Sequence, residues 1–252
     1  MQQQPYLFYS KASFDDRPRD ADLCGKRAVL LVSVGQDYHE GDKLAATVEL
    51  LNRCELAHCT IAVADTLQRH NEPEPDPARA QCLAHAAGTH WLRRNDAILG
   101  ALRPNCEVLR WDDARADAAY PGWCRAVRRA HAESAPYRAA LQQTVDAFVQ
   151  RAAKRCPDVD CGELAGKCLS YLLEECPIIM PLWASQGCDY VVYPQPMTAA
   201  MRATRELFVR ERYPGKARWL SLRFKRRAQA SRLPVPAALA AQLPATPGEP
   251  PP

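Results

Sequence analysis

The sequence predicts a doubly wound, mainly parallel α/β sheet, and three observations carry that prediction. Short, unbroken apolar runs bounded by turn residues recur along the chain, the mark of strands buried on both faces. Stretches of helical periodicity alternate with them. With 252 residues, of which 47% are hydrophobic, the chain is also long enough to bury one sizeable core.

Residues 1 to 25 are polar and read as an irregular N-terminal segment. The first strand is expected at 27 to 33, where Ala28-Val-Leu-Leu-Val runs into Ser33, Gly35 and a polar turn. From Glu40 the periodicity turns helical, with Leu44, Val48 and Leu51 on one face. A second strand follows at about 58 to 66. The proline-punctuated loop at 71 to 77 leads into a helix over 78 to 102 that stops before Pro104. CEVLRW at 106 to 111 reads as a third strand, whereas 112 to 136 shows no clear period and receives no assignment. Residues 137 to 155 are an amphipathic helix carrying Leu141, Val145, Phe148 and Ala152. Asp160, with Glu163 three residues on, caps a helix reaching about 176, which Pro177 and Pro181 kink or end. A fourth strand at 189 to 194, a helix at about 198 to 212 and a fifth strand at 218 to 224 complete the pattern. The expected organisation is one Rossmann-like domain over 26 to 232 and a Pro- and Ala-rich disordered tail over 233 to 252.

Composition narrows the function. The formal charge is only +4, so a nucleic-acid partner has to be met by a local patch. Eleven cysteines without a CxxC pair, behind a first twenty residues lacking a signal peptide's apolar core, read as reduced thiols of a cytoplasmic protein. The spacings Cys54 to Cys59 and Cys156 to Cys161 come without clustered histidines and do not make a metal site. No run approaches the roughly 18 apolar residues of a membrane span.

Three places draw attention as chemistry. Ser33 ends an inner strand at the carboxyl edge of the sheet, where open α/β folds bind ligands, although a serine there equally serves as a turn or cap. On the helix 160 to 176, Leu164, Cys168, Tyr171 and Glu175 share a stripe, with Tyr171 and Glu175 one turn apart. A carboxylate in so apolar a helix is either satisfied by a neighbouring arginine or functional. Tyr193-Pro194 closes the fourth strand at the same edge as Ser33. His39 lies six residues beyond Ser33, but no third residue completes a triad, and it reads as a surface histidine.

Together these residues resemble the tRNA-dependent cyclodipeptide synthases over most of the span from about 27 to 224. The likeness rests on VSVGQDYHEGDK at 32 to 43, VADTLQRHN at 63 to 71, WLRRN at 91 to 95, YLLEECP at 171 to 177 and VVYP at 191 to 194. It implies a fold similar to the catalytic domain of class I aminoacyl-tRNA synthetases. It implies an enzyme that takes two aminoacyl-tRNAs, holds the first aminoacyl group on a serine, joins the second to it and closes the dipeptide to a diketopiperazine. By motif, Ser33 matches the acylated serine, and Tyr171 and Glu175 match the pair that grips the amino group of the bound aminoacyl moiety. Tyr193 matches a residue that positions groups and relays a proton during peptide-bond formation or cyclisation. Gly35 and Gln36 fall in the serine loop, and Gln36 with Tyr193-Pro194 places the chain in the family's Tyr-Pro branch. Val29, Leu31 and Ile178 align with positions lining the first aminoacyl pocket.

The chemistry is coherent in its own terms. An aminoacyl ester is already activated, so neither ATP nor a metal or other cofactor is implied, and the chain has no GxxxxGK[ST] loop. Covalent capture splits a two-substrate assembly into two transfers. A carboxylate such as Glu175 is suited to hold an ammonium and then accept its proton. For tRNA, the helix 78 to 102 offers Arg79, Arg93 and Arg94, and a denser basic run contains Lys216, Arg218, Lys225, Arg226 and Arg227. Two other readings stay open: a non-catalytic tRNA-binding module on a synthetase-like fold, and a serine esterase or acyltransferase, for which no GxSxG elbow is present.

Overall fold

The computed structural model describes residues 10 to 15 and 20 to 226. The expected disordered tail at 233 to 252 and Arg227 lie outside these residues. The chain runs β1 (Ser10–Phe14), α1 (Asp20–Leu23), β2 (Arg27–Ser33), α2 (Gly41–Arg53), β3 (His58–Ala64), α3 (Pro77–Leu99) and β4 (Asn105–Arg110). It continues through α4 (Trp111–Ala116), α5 (Tyr120–Glu133), α6 (Ala135–Arg155), α7 (Cys161–Pro177), α8 (Trp183–Ser185), β5 (Tyr190–Tyr193), α9 (Ala199–Phe208) and β6 (Arg218–Arg226). Single 3-10 turns at Asp37–His39 and Thr66–Asn71 follow β2 and β3.

The strands form one six-stranded sheet in the order β1-β6-β5-β2-β3-β4, with helices on both faces. All neighbours are parallel except β1, which pairs antiparallel with β6. This is the doubly wound, mainly parallel sheet that the apolar runs predict. From β2 the chain winds outward through β3 to β4, then returns to build β5 and β6 on the other side of β2. The direction of winding therefore reverses between β2 and β5, and the crevice at their carboxyl ends is where such sheets bind ligands.

Period-two alternation along β2 divides the core. Ala28, Leu30 and Val32 pack with Leu44 and Leu51 of α2 and Trp91 of α3. Val29 and Leu31 pack with Leu141, Leu172, Ile178 and Trp183 on the opposite face. Ser33 continues the second set, so its side chain falls on the face covered by α7.

Three local expectations are revised. Residues 1 to 25 were read as irregular, yet Ser10–Phe14 is an edge strand that turns only Ala12 and Phe14 into the core. The unassigned segment from 112 holds α4 and α5; α5 fully buries only Val127, too narrow a stripe to show as a period. Pro177 and Pro181 do not end α7 abruptly, because the chain passes through a π turn at Ile178–Leu182 into α8. Pro181 has no N–H to donate, and the ladder widens until the Trp183 N–H reaches Ile178 O, five residues back.

Helix α3 overshoots the sheet. Its middle residues meet the carboxyl-edge loops: Trp91 Nε1 donates to His39 O at 3.0 Å, and Gly88 packs on Asp65. The first three turns, Arg79 included, thus project beyond that edge. Asp65 is fully buried, ion-paired with Arg110, and accepts from the Thr66 and Trp111 amides. A Cβ on Gly88 would overlap the Asp65 Cβ and lie 2.9 Å from the Arg110 guanidinium. Gly88→Ala should therefore lower stability by about 1–3 kcal/mol, as overpacking does, or roughly 2–4 °C of Tm per kcal/mol for a chain of this size. Gly166→Ala, on an exposed stretch of α7 with nothing within 4 Å of the added Cβ, should instead raise Tm. Thermal unfolding of the two variants checks both signs.

Candidate active site

Ser33 stands at the last position of β2, 7% exposed, and the chain turns immediately after it at Gly35, whose φ of +86° suits glycine. Its hydroxyl lies 3.1 Å from the Tyr193 hydroxyl at the end of β5. The Tyr193 hydroxyl lies in turn 3.0 Å from that of Tyr38, in the turn after β2. Three hydroxyls thus form a row across the crevice between β2 and β5. Burial raises the pKa of both phenols, so both stay protonated at neutral pH.

His39 corrects an expectation. It is buried rather than a surface residue, and its Nδ1 accepts the Ser33 backbone N–H at 3.0 Å. The same nitrogen lies 3.3 Å from Ser33 O, and burial pushes the imidazole down to about 4 against the pull of its backbone contact with Ser33. The ring is a neutral structural acceptor aimed at the main chain of Ser33, not a base for its hydroxyl.

Helix α7 supplies the opposite wall through two adjacent glutamates with opposite fates. Glu174 is buried, paired with Arg69 and with His70 Nε2 at 3.2 Å, and accepts from Trp111 Nε1 at 3.0 Å. Burial alone would raise its carboxyl, but the bonds from His70 and Arg69 and the charges of Arg69 and Arg115 outweigh it and hold the group at about 2. Glu175, one residue on, lies deep among neighbours yet keeps some accessible surface. Burial pushes its carboxyl up to about 8, against a hydrogen bond from Tyr171. Tyr171 also bonds Gln68, and burial puts its phenol well above the usual range. Glu175 lies near enough to act electrostatically on Tyr38, Tyr171 and Tyr193, so all four gather at one end of the crevice.

A crevice at the reversal of a parallel sheet, holding a serine, three tyrosines and a protonatable glutamate, sets the frame for comparison. No family model matches the chain, and no curated protein does. A solved structure of a CDPS, a cyclodipeptide synthase, from Fluoribacter dumoffii matches with a TM-score of 0.81 and 33% identity, over 86% of this chain and 99% of that one. The chain belongs to the cyclodipeptide synthase family. A more distant family member from Candidatus Glomeribacter gigasporarum, solved bound to Phe-tRNAPhe, matches at TM-score 0.64 and 18% identity over 90% and 93% of the two chains. A Mycobacterium tuberculosis protein, whose structure relates these enzymes to type I tRNA synthetases, matches at 0.55 and 15% over 90% and 100%. The Rossmann-like sheet described above is the architecture they share.

Of the residues singled out from the sequence, Ser33, Tyr171, Glu175 and Tyr193 converge on the crevice. Gly35 and Gln36 form the exposed turn beside it, and Pro194 is buried behind Tyr193. Val29, Leu31 and Ile178 are core residues at 5%, 2% and 0% exposure on the face beneath Ser33. The basic residues divide. Arg79 pairs with Glu74, Arg94 pairs with Glu40 at 2.5 Å, and Arg93 is exposed on α3. Lys225 and Arg226 are exposed at the far end of β6, beyond the carboxyl edge. Lys216 and Arg218 sit at the opposite edge, since β6 pairs Arg218 with Tyr190 and Ser221 with Tyr193. There Lys216 binds Asp189 at 2.6 Å and Arg218 lies over the Tyr190 ring at 4.9 Å, which are structural roles.

Sequence reasoning missed Tyr38, Gln68 and Glu174. The signal for Tyr38 was its position in the turn after Ser33. For the other two it was the motif at 63 to 71, whose Arg69 and His70 lock Glu174 and so hold Gln68 against Tyr171.

Proposed function

We propose that this chain is a cyclodipeptide synthase of the Tyr-Pro branch that consumes two aminoacyl-tRNAs through an acyl-enzyme on Ser33. The observation that carries the reading is the Ser33 hydroxyl, 3.1 Å from Tyr193 at the reversal of the sheet, with Tyr171 and Glu175 close enough to Tyr193 to act on it electrostatically. In the first transfer the Ser33 Oγ bonds the acyl carbon, the carbon's bond to the ribose oxygen breaks, and that oxygen takes up a proton. The amine of the aminoacyl group held on Ser33 then attacks the acyl carbon of the second aminoacyl-tRNA, whose ribose oxygen leaves with the amine's proton, and the amine of the resulting dipeptidyl ester attacks the Ser33 ester carbon, so that Ser33 regains its proton and the diketopiperazine leaves.

Glu175 is the group for the amine. A carboxyl near 8 is matched to an α-amino group, whose pKa is about 7.7–8.0, so a proton passes between them at little cost. An entering ammonium would draw Glu175 into its charged form, and release of that proton leaves the neutral nucleophile. Tyr171 orients the carboxyl from one turn away. A triad hydrolase at Ser33 lacks its histidine among the described residues, because the Ser33 hydroxyl bonds Tyr193 and no imidazole.

For tRNA, phosphate contacts are assigned to Arg79 and Arg93 on α3 and to Lys225 and Arg226 at the end of β6. The relative solved with Phe-tRNAPhe supports a tRNA partner. The test is mass spectrometry of spent medium from bacteria overproducing the chain. A diketopiperazine absent from the empty-vector culture is the expected result and names the two amino acids. Its absence, with the chain expressed and folded, favours the non-catalytic tRNA-binding reading.

A further inference from the structure

We propose that Tyr38 is a positioning residue for the transfer onto Ser33: its oxygen accepts the Tyr193 proton and so leaves the Tyr193 oxygen free to accept from Ser33. The inference deepens the acyl-serine reading and rests on it. Tyr193 has one proton and two hydroxyl neighbours, Ser33 at 3.1 Å and Tyr38 at 3.0 Å. It can donate to only one of them, and its oxygen can accept from the other. If Tyr193 donates to Ser33, a lone pair of the nucleophile is tied up. If Ser33 donates to Tyr193, that lone pair is free for the acyl carbon, and the Tyr193 proton then needs an acceptor. Tyr38 is that acceptor.

The turn that carries Tyr38 is pinned on both sides. Asp37 pairs with Lys43 at 2.6 Å; His39 receives Trp91 Nε1 on its carbonyl and the Ser33 amide on its ring. The Tyr38 ring also meets the His39 and Tyr193 rings edge-on, with centroids 4.8 Å and 5.9 Å away. A hydroxyl held this firmly fixes the direction of the whole row. In the transfer the Ser33 Oγ–carbon bond forms, the carbon–ribose oxygen bond breaks and the departing oxygen gains one proton as Ser33 loses one, so protons balance. Burial disfavours a free tyrosinate, so both phenols keep their protons and the one that Ser33 loses ends on the departing oxygen.

The experiment is single-turnover labelling of Ser33 by acid quench, using tRNA charged with a radiolabelled amino acid found in the product. Tyr38→Phe removes only the hydroxyl. It should slow labelling on the order of 10- to 100-fold, below the 10²–10⁴ typical of a direct proton-transfer group, with the half-saturating tRNA concentration and Tm unchanged. Added to Tyr193→Phe, it should slow labelling no further, because its effect runs through Tyr193. Labelling by Tyr38→Phe at the parent rate overturns the proposal. So does an equal slowing in both backgrounds, or a raised half-saturating concentration at unchanged rate. A parent chain that never labels on serine overturns the acyl-enzyme reading itself, a failure told apart because no variant is involved.

Discussion

Ser33→Ala is expected to abolish both the covalent label and the cyclic product. Incubating the parent chain with one labelled aminoacyl-tRNA and quenching in acid should leave the amino acid on the peptide containing Ser33, and the alanine variant should carry none. The loss should not reflect misfolding. Ser33 fills the end of β2 with a hydroxyl whose partners are Tyr193 and, by way of its amide, His39, and alanine keeps the amide bond. Tm should therefore stay within the range of an ordinary substitution. An alanine variant that made the diketopiperazine at the parent rate would replace the acyl-enzyme with direct attack of one aminoacyl-tRNA on the other.

Glu175→Gln is expected to move activity and stability in opposite directions. Losing the proton acceptor should cut product formation by about 10²–10⁴. Stability follows from the raised pKa. An unfolded chain ionises this carboxyl near 4.5, the folded one only near 8, so between those values the folded state binds more protons. The unfavourable contribution therefore grows as pH rises through that window and is absent below it. The neutral amide escapes it. At about pH 8 the variant should melt several degrees above the parent, with roughly 2–4 °C for each kcal/mol, and at about pH 4 the two should coincide. Melting curves at the two pH values, set beside product yield, check both. A variant that melts lower at pH 8 would give Glu175 the structural role that Glu174 holds.

The inner strands β2, β3 and β5 were legible because burial on both faces spells a largely unbroken apolar run, while β4 and β6, more exposed, showed only short apolar stretches. Strand β1 was not, because an edge strand with two inward residues has no such run. The carboxylate of α7 was legible as an anomaly in an apolar helix, but its resolution was split. The arginine-satisfied glutamate foreseen as one alternative exists at Glu174, while Glu175 is the one left at the crevice. Neighbours 100° apart on a helix meet different surroundings, and periodicity alone does not say which. Tyr38 escaped because a tyrosine in a polar turn looks like surface, and its partner Tyr193 lies 155 residues away. The basic run near 216 misled because it passes from one edge of the sheet to the other within a single strand.

The tie between His39 and the Ser33 amide bears on how long the ester proposed at Ser33 would survive. Serine hydrolases commonly aim the nucleophile's own N–H at the carbonyl oxygen, which hastens acylation and deacylation by water alike. Here that N–H is already spent on an imidazole. The carbonyl of a Ser33 ester is thereby denied one source of activation, and a stray water, a weak nucleophile without a histidine to sharpen it, gains little. An amine held beside Glu175 needs less help, being intrinsically the stronger attacker and already in place. Withholding activation thus tilts the competition for the ester from hydrolysis towards amide formation, the selectivity that separates a synthase from an esterase.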